Sequence, residues 1–338
     1  MGIGIIGCGL WGQNYVRVMR ELTPDEKIAV CDLEEKRLRM IQRRFSATEG
    51  FTDFRELLAL TDLYAVVVAT TGSTHYEIAK AALKARKHVL VEKPFVLQEA
   101  QGQELVELAK RHNLVLMVGH TFLYNPGIRK LKQYMTNGPE GVGEIYYLTS
   151  TRTNLGPIRN DVNVVWDLAP HDVSILSYLL DCQPFSVRAI GARKLRNTRE
   201  DVAFITLMYP GDIIANIHVS WIDPNRVRQV AVVGSNKRII FDDLNPVEKI
   251  RVFEKAVSCS GIDSDSFGEF ILSIRDGDIV SPRVEGAEPL KNLCSEFLEC
   301  IKRGTQPLAD GHNGLEVVKV LIAAQLSLEN DGEVLEIK

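Results

Sequence analysis

Gly2–Gly12, GIGIIGCGLWG, stands at the head of the chain. Its first five residues form an unbroken run without polar side chains, the pattern of a strand covered on both faces. The glycines that follow, Gly7, Gly9 and Gly12, are spaced G-x-G-x-x-G and open an amphipathic stretch over Gly12–Arg20. Strand, tight turn and helix in that order aim backbone N–H groups at a ligand, and the helix dipole favours an anionic one. Gly7 suits the turn, Gly9 the close approach of a pyrophosphate, and Gly12 the packing of helix on strand. Leu10 and Trp11 lie in the same loop and count with the dinucleotide contacts.

The pattern repeats outward from there. Apolar runs at Lys27–Cys31, Ala65–Ala69, His88–Val91 and Val115–Val118 alternate with helical periodicity over Glu34–Arg44, Thr74–Ala85 and Gln98–Arg111. Such alternation indicates βαβ units and a doubly wound parallel sheet over residues 1–120. Asp32 ends the second strand, where a carboxylate holds the adenine ribose hydroxyls and would repel a 2′-phosphate. NAD is therefore expected over NADP, although Arg37 follows one helical turn later. Thr70, Ser73 and His75 follow the third strand and could line a cofactor cleft, or Ser73 or Thr74 could cap the next helix. Glu92 and Lys93 are delivered by the fourth strand to the carboxyl edge of the sheet, where ligands bind in this architecture.

From about residue 143 the signal becomes strand after strand, with turns at Tyr209–Asp212 and Gly234–Asn236. Residues 121–338 read as an α+β domain built on an open, largely antiparallel sheet. One helix is expected over Pro170–Leu180 and two near the end, over Pro289–Lys302 and Asn313–Leu328. Ser258–Arg283 reads as a long loop or lid.

Composition narrows the function class. The 338 residues are 45% hydrophobic and 25% charged, ordinary for a folded enzyme, and the net charge of −4 argues against nucleic acid as a partner. No apolar run is long enough for a membrane span, and none resembles a leader, so a cytoplasmic protein is expected. Six cysteines are scattered without a C-x-x-C pair, which suggests neither a disulfide framework nor a metal site.

The motif with chemistry is Trp166–Asp172, WDLAPHD. On a helix, Asp167 and His171 share one face, and the carboxylate can orient the imidazole. Pro170 suggests a first helical turn, where the dipole would keep His171 neutral and Asp172 would be a favourable acid. Asp167 could alternatively be the N-cap. Oxidation of an alcohol needs a base near the hydroxyl. His171 can serve with Lys93 stabilising the alkoxide, or Lys93 can act first with His171 as relay. Tyr124, Asn125, Arg159 and Asn163, in polar loops nearby in sequence, are candidate substrate contacts.

Gly7–Gly12, Asp32, EKP at 92–94 and DLAPHD at 167–172 together resemble the Gfo/Idh/MocA oxidoreductase family. The resemblance runs over essentially the whole chain. It implies a Rossmann domain followed by an α/β domain whose sheet often forms homodimer or homotetramer contacts. It also implies that Lys93, Asp167 and His171 serve at the nicotinamide. Thr71-Gly72 and Phe122–Pro126 depart from the common family pattern, and an arginine that other members use on substrate is absent. GLWGQNYVR, GHTFLYNP and GPIRNDVNVVWDLAPHD are most similar to the branch that oxidises the 3-hydroxyl of UDP-N-acetylglucosamine-type sugars. Free sugars, inositols and deoxysugar nucleotides are the alternatives, and a non-catalytic NAD sensor is the alternative of another class.

Overall fold

The computed structural model describes residues 1–45, 48–136, 141–159, 161–195, 198–259 and 272–337. It divides into two compact units, Met1–Tyr124 with Ala287–Lys319, and Asn125–Gly286 with Val320–Lys338. The first boundary lies close to residue 120, and the segment 287–319 joins the amino-terminal unit.

In the first unit the chain runs β1 (Gly2–Ile6), α1 (Leu10–Leu22), β2 (Lys27–Cys31), α2 (Glu35–Arg44), β3 (Thr48–Phe51), α3 (Phe54–Leu58) and β4 (Leu63–Val68). It continues with α4 (His75–Lys84), β5 (His88–Val91), α5 (Glu99–His112) and β6 (Leu116–Val118). The strands form one parallel sheet in the order β3-β2-β1-β4-β5-β6. Every residue of β1 is buried, as a strand covered on both faces requires. Strand order reverses between β1 and β4, so the loops after these strands meet at the switch point where such sheets bind ligands. β3 and α3 are additions to what the sequence patterns indicate. TEGF is polar because β3 is an edge strand with Glu49 and Gly50 exposed, and α3 is a short helix capped by Asp53.

The second unit opens with α6 (Pro126–Thr136), β7 (Ile145–Leu155) and α7 (Val164–Leu180). β8 (Ser186–Ala192), β9 (Val202–Tyr209), β10 (Ile213–Ser220), β11 (Ile222–Gly234), β12 (Arg238–Asp242) and β13 (Ile250–Phe253) follow. After them come β14 (Ala256–Cys259), β15 (Leu272–Arg275), β16 (Ile279–Val280), α8 (Pro289–Arg303), α9 (Gly311–Glu329) and β17 (Leu335–Glu336). Of these, α8 belongs to the first unit, and α9 gives its first part to the first unit and the rest to the second. Nine strands make one sheet in the order β16-β13-β12-β11-β7-β10-β9-β8-β17, antiparallel except for the β7–β10 pair. Alternation in β9 buries Ala203, Ile205, Leu207 and Tyr209 while Phe204 faces outward. The helix α7 packs on β7, β9 and β10.

Two expectations change here. The expected loop from Ser258 to Arg283 falls partly outside the described residues, and its described ends pair as the antiparallel strands β14 and β15. The helix expected from Pro170 begins six residues earlier, at Val164, because Asn163 caps it: its side-chain oxygen accepts from the Trp166 N–H. Among the described residues, no helix is long and apolar enough to cross a membrane.

Candidate active site

The first unit places its candidate residues at the carboxyl ends of β1, β2, β4, β5 and β6. Gly7 has φ +98°, a conformation that favours glycine, and a Cβ there would lie 2.6 Å from the Ala69 carbonyl oxygen. At Gly12 a Cβ would sit 1.8 Å from the Gly7 oxygen, so the turn closes only on glycine. Gly9 differs: a Cβ there would meet no protein atom within 4 Å. The space beside Gly9, at the cap of α1, is open in the way a pyrophosphate cradle requires. Leu10 and Trp11 are exposed beside it.

Asp32 is buried at the end of β2. One oxygen accepts the Cys8 N–H at 2.7 Å and the other the Glu34 N–H at 2.9 Å, which ties the glycine turn to β2. Each oxygen keeps a second lone pair for a ribose hydroxyl. Arg37 lies 3.8 Å from Asp32 and 2.7 Å from Glu34, so its charge is spent on carboxylates. These residues fit NAD: an open phosphate cradle, and a carboxylate where a 2′-phosphate would have to lie.

His75, a candidate cofactor contact by sequence, is held by backbone carbonyls. It is fully buried, with Nδ1 2.7 Å from the Pro94 carbonyl and Nε2 3.2 Å from that of Thr70. Its contacts join the loop after β4 to the loop after β5. Thr70 is held in that turn, its hydroxyl accepting from Thr74, whereas Ser73 is exposed. Thr74 is the N-cap of α4, without a capping side-chain bond. Glu92 is also buried. Tyr15 donates to one of its oxygens at 2.7 Å and the Lys93 N–H to the other at 3.0 Å. Burial pushes the Glu92 carboxyl up from its ordinary value, against the Tyr15 hydrogen bond and the Lys93 charge. Lys93 itself is half-buried, immediately beyond β5.

The second unit carries Asp167 and His171 on α7. With Asn163 as cap they fall at the fourth and eighth helical positions, one turn apart on one face. His171 is therefore two turns into the helix, and the first-turn dipole does not act on it. Pro170 sits inside the helix and removes the hydrogen bond that its nitrogen would give to Trp166. The Asp167 carboxylate accepts from Trp221 Nε1 at 3.0 Å and lies 3.5 Å from Arg159. Arg159 in turn pairs with Asp161 at 2.6 Å, and that hydrogen bond draws the Asp161 carboxyl below its ordinary value.

Residues 1–120 match the model of the oxidoreductase family with an NAD-binding Rossmann fold, and residues 128–240 match the Gfo/Idh/MocA C-terminal domain. The chain belongs to the Gfo/Idh/MocA oxidoreductase family. This Gfo/Idh/MocA protein is an NAD-dependent dehydrogenase. It is 28% identical over 333 residues to a UDP-N-acetylglucosamine 3-dehydrogenase of Acidithiobacillus ferrooxidans, covering 97% of each chain. It is 25% identical to a myo-inositol 2-dehydrogenase of Thermotoga maritima, covering 97% of this chain and 96% of that one. A solved structure of the Acidithiobacillus enzyme shares the fold, with a TM-score of 0.80, 24% identity and 98% of each chain covered.

Three residues that the sequence suggests as substrate contacts of this Gfo/Idh/MocA dehydrogenase make internal hydrogen bonds. Asn163 is buried, and its amide also donates to Glu200 and Gln325, each at 2.8 Å. Asn125 accepts the Gly127 N–H at the start of α6 and donates to Asp243 at 3.0 Å. Tyr124 is buried and its hydroxyl accepts from the Ala309 N–H. Asp172 is no dipole partner: at the ninth helical position it takes a forked ion pair from Arg152, at 2.8 and 3.0 Å, and a hydrogen bond from Ser150. Trp221 joins the candidate set as the indole donor to Asp167. Its only sequence signal is an indole N–H at the end of a buried strand, where such a group needs an acceptor.

Proposed function

We propose that this dehydrogenase oxidises a secondary ring hydroxyl of a sugar, first of all the 3-hydroxyl of a nucleotide-linked sugar of the UDP-N-acetylglucosamine kind. The observation that carries the reading is the pair Asp167 and His171 one turn apart on α7, with the carboxylate fixed by Trp221. In this reading His171 takes the hydroxyl proton, Asp167 sets the imidazole's orientation, and Lys93 stabilises the developing alkoxide. NAD, when bound, supplies the acceptor for the hydride that leaves the carbinol carbon. Gly7, Gly9 and Gly12 with Leu10 and Trp11 hold its phosphate end, Asp32 its ribose, and the turn from Thr70 to Ser73 borders it. Lys93→Ala and His171→Ala should lose turnover while retaining NAD binding, and unchanged turnover in both would refute the scheme. A kcat/KM profile whose acid limb disappears in His171→Ala but persists in Lys93→Ala assigns the first proton to His171. The reverse pattern assigns it to Lys93.

The nucleotide-sugar assignment draws on the Acidithiobacillus relative, matched along nearly the whole chain. One observation favours a free polyol such as myo-inositol instead. The Arg159 fork, which would suit a diphosphate, is already engaged by Asp161 and Asp167. NADH absorbance with UDP-N-acetylglucosamine and with myo-inositol separates the two.

The outward face of the second unit's sheet carries Ile190, Phe204 and Ile214, with His218 stacked on Phe204 at 4.4 Å. That apolar row supports a homodimer or homotetramer, to be tested by light scattering on Phe204→Glu. The buried thiols Cys8, Cys31, Cys294 and Cys300, none of them in a disulfide, suit the reducing cytoplasm.

A further inference from the structure

His120 has no place in that scheme, yet its burial demands an explanation. It is 1% exposed, and both ring nitrogens are buried without a hydrogen-bond partner among the described residues. A buried polar atom left unsatisfied is costly, so native structures rarely keep two on one ring without a use.

Its position says what that use is. β5 and β6 pair in parallel as far as Val91 and Val118, the Gly119 N–H donates to the Val91 carbonyl, and the Lys93 charge acts on the His120 ring. Gly119 lies so close that a Cβ there would be 3.2 Å from the Glu92 Cα and carboxyl carbon. His120 thus leaves the carboxyl end of β6 alongside Lys93, at the edge where doubly wound sheets receive ligands. Both Glu92 oxygens already accept hydrogen bonds, from Tyr15 and from the Lys93 N–H. Burial, and then the neighbouring Lys93 charge, push the imidazole down to about 3, so it is neutral at any working pH.

A neutral imidazole offers one N–H and one lone pair. A phosphate accepts only and an ammonium donates only, whereas a hydroxyl does both. We infer that His120 is a substrate-contact residue that hydrogen-bonds an uncharged ring hydroxyl of the bound sugar beside the carbon being oxidised. The inference rests on the sugar-dehydrogenase reading above.

Calorimetric titration of the NADH-saturated enzyme with UDP-N-acetylglucosamine and with myo-inositol tests it. His120→Phe fills the ring's space but makes no hydrogen bond, and should weaken binding of whichever sugar binds by about tenfold to a hundredfold. NADH affinity should stay within about twofold. His120→Gln, which keeps a donor and an acceptor and guards against a folding defect in the phenylalanine variant, should restore part of the loss. In ¹⁵N-histidine-labelled enzyme, the signals absent from His120→Gln should move when sugar joins the NADH complex. Sugar that binds equally well to His120→Phe and leaves those signals unmoved overturns this inference alone. Signals that move with NADH but not further with sugar overturn it too, in favour of a cofactor contact. If neither sugar binds the wild-type enzyme, the reading beneath it fails and the inference falls with it.

Discussion

The indole Nε1 of Trp221 donates to the Asp167 carboxylate at 3.0 Å from the end of β10, and Trp221 is 1% exposed. A rigid, buried donor fixes the carboxylate where a solvated surface residue could not. Hydrogen bonds to charged groups are worth about 1.5–3 kcal/mol, so Trp221→Phe releases Asp167 at little cost in packing volume. In that variant kcat should fall on the order of tenfold or more, while NADH binding measured by fluorescence is unchanged. Equal loss of kcat and of NADH affinity would mean a general folding defect instead.

The ion pair behind the helix makes a separate prediction. Arg152 and Asp172 are both buried, joined by two hydrogen bonds, with Ser150 completing the carboxylate's partners. Removing one member strands the other's charge in a poorly solvated place. Asp172→Ala should cost about 3–5 kcal/mol in urea unfolding, whereas Arg152→Met with Asp172→Leu together should cost much less. Additive losses would show that the pair is not coupled.

The cofactor unit was legible because its signals are local. A strand without polar side chains, three spaced glycines and Asp32 are read along a single stretch of chain. What escaped was decided by tertiary context. WDLAPHD looks like a helix start because proline favours first turns, but Asn163 sets the true start by capping against the Trp166 N–H. His75 follows a strand just as a cofactor ligand would, and only the fold shows its ring lying against the Pro94 carbonyl. Asp172 is paired with an arginine twenty positions away in sequence, and no spacing rule links the two.

Glu92 predicts how stability varies with pH. Its carboxyl titrates above the ordinary value of 4.5 in the folded state, chiefly through burial. The folded chain therefore holds that proton more tightly than the unfolded chain. The residue's contribution is intact below the ordinary value and is lost as pH rises through the raised one. Glu92→Gln does not titrate. Its stability relative to wild type should improve as pH climbs through that window and level off above it. Paired urea unfolding curves from the ordinary carboxylate value upward would show this, and a difference independent of pH would be contrary to it.

The glycine turn separates binding from folding. A methyl group at Gly12 would collide with the Gly7 carbonyl oxygen, so Gly12→Ala should lower the melting temperature and weaken NADH binding together. Gly9 is different: its backbone is extended, at φ −69° and ψ −162°, and the added Cβ meets no protein atom. Gly9→Ala should keep the wild-type melting temperature, because alanine adopts that conformation without strain. Yet the methyl group occupies the space through which a pyrophosphate reaches the N-terminus of α1, so NADH affinity should fall about tenfold or more. Fluorescence titration alongside calorimetric melting distinguishes the two variants. Gly9→Ala with undiminished NADH affinity would move the phosphate cradle away from this loop.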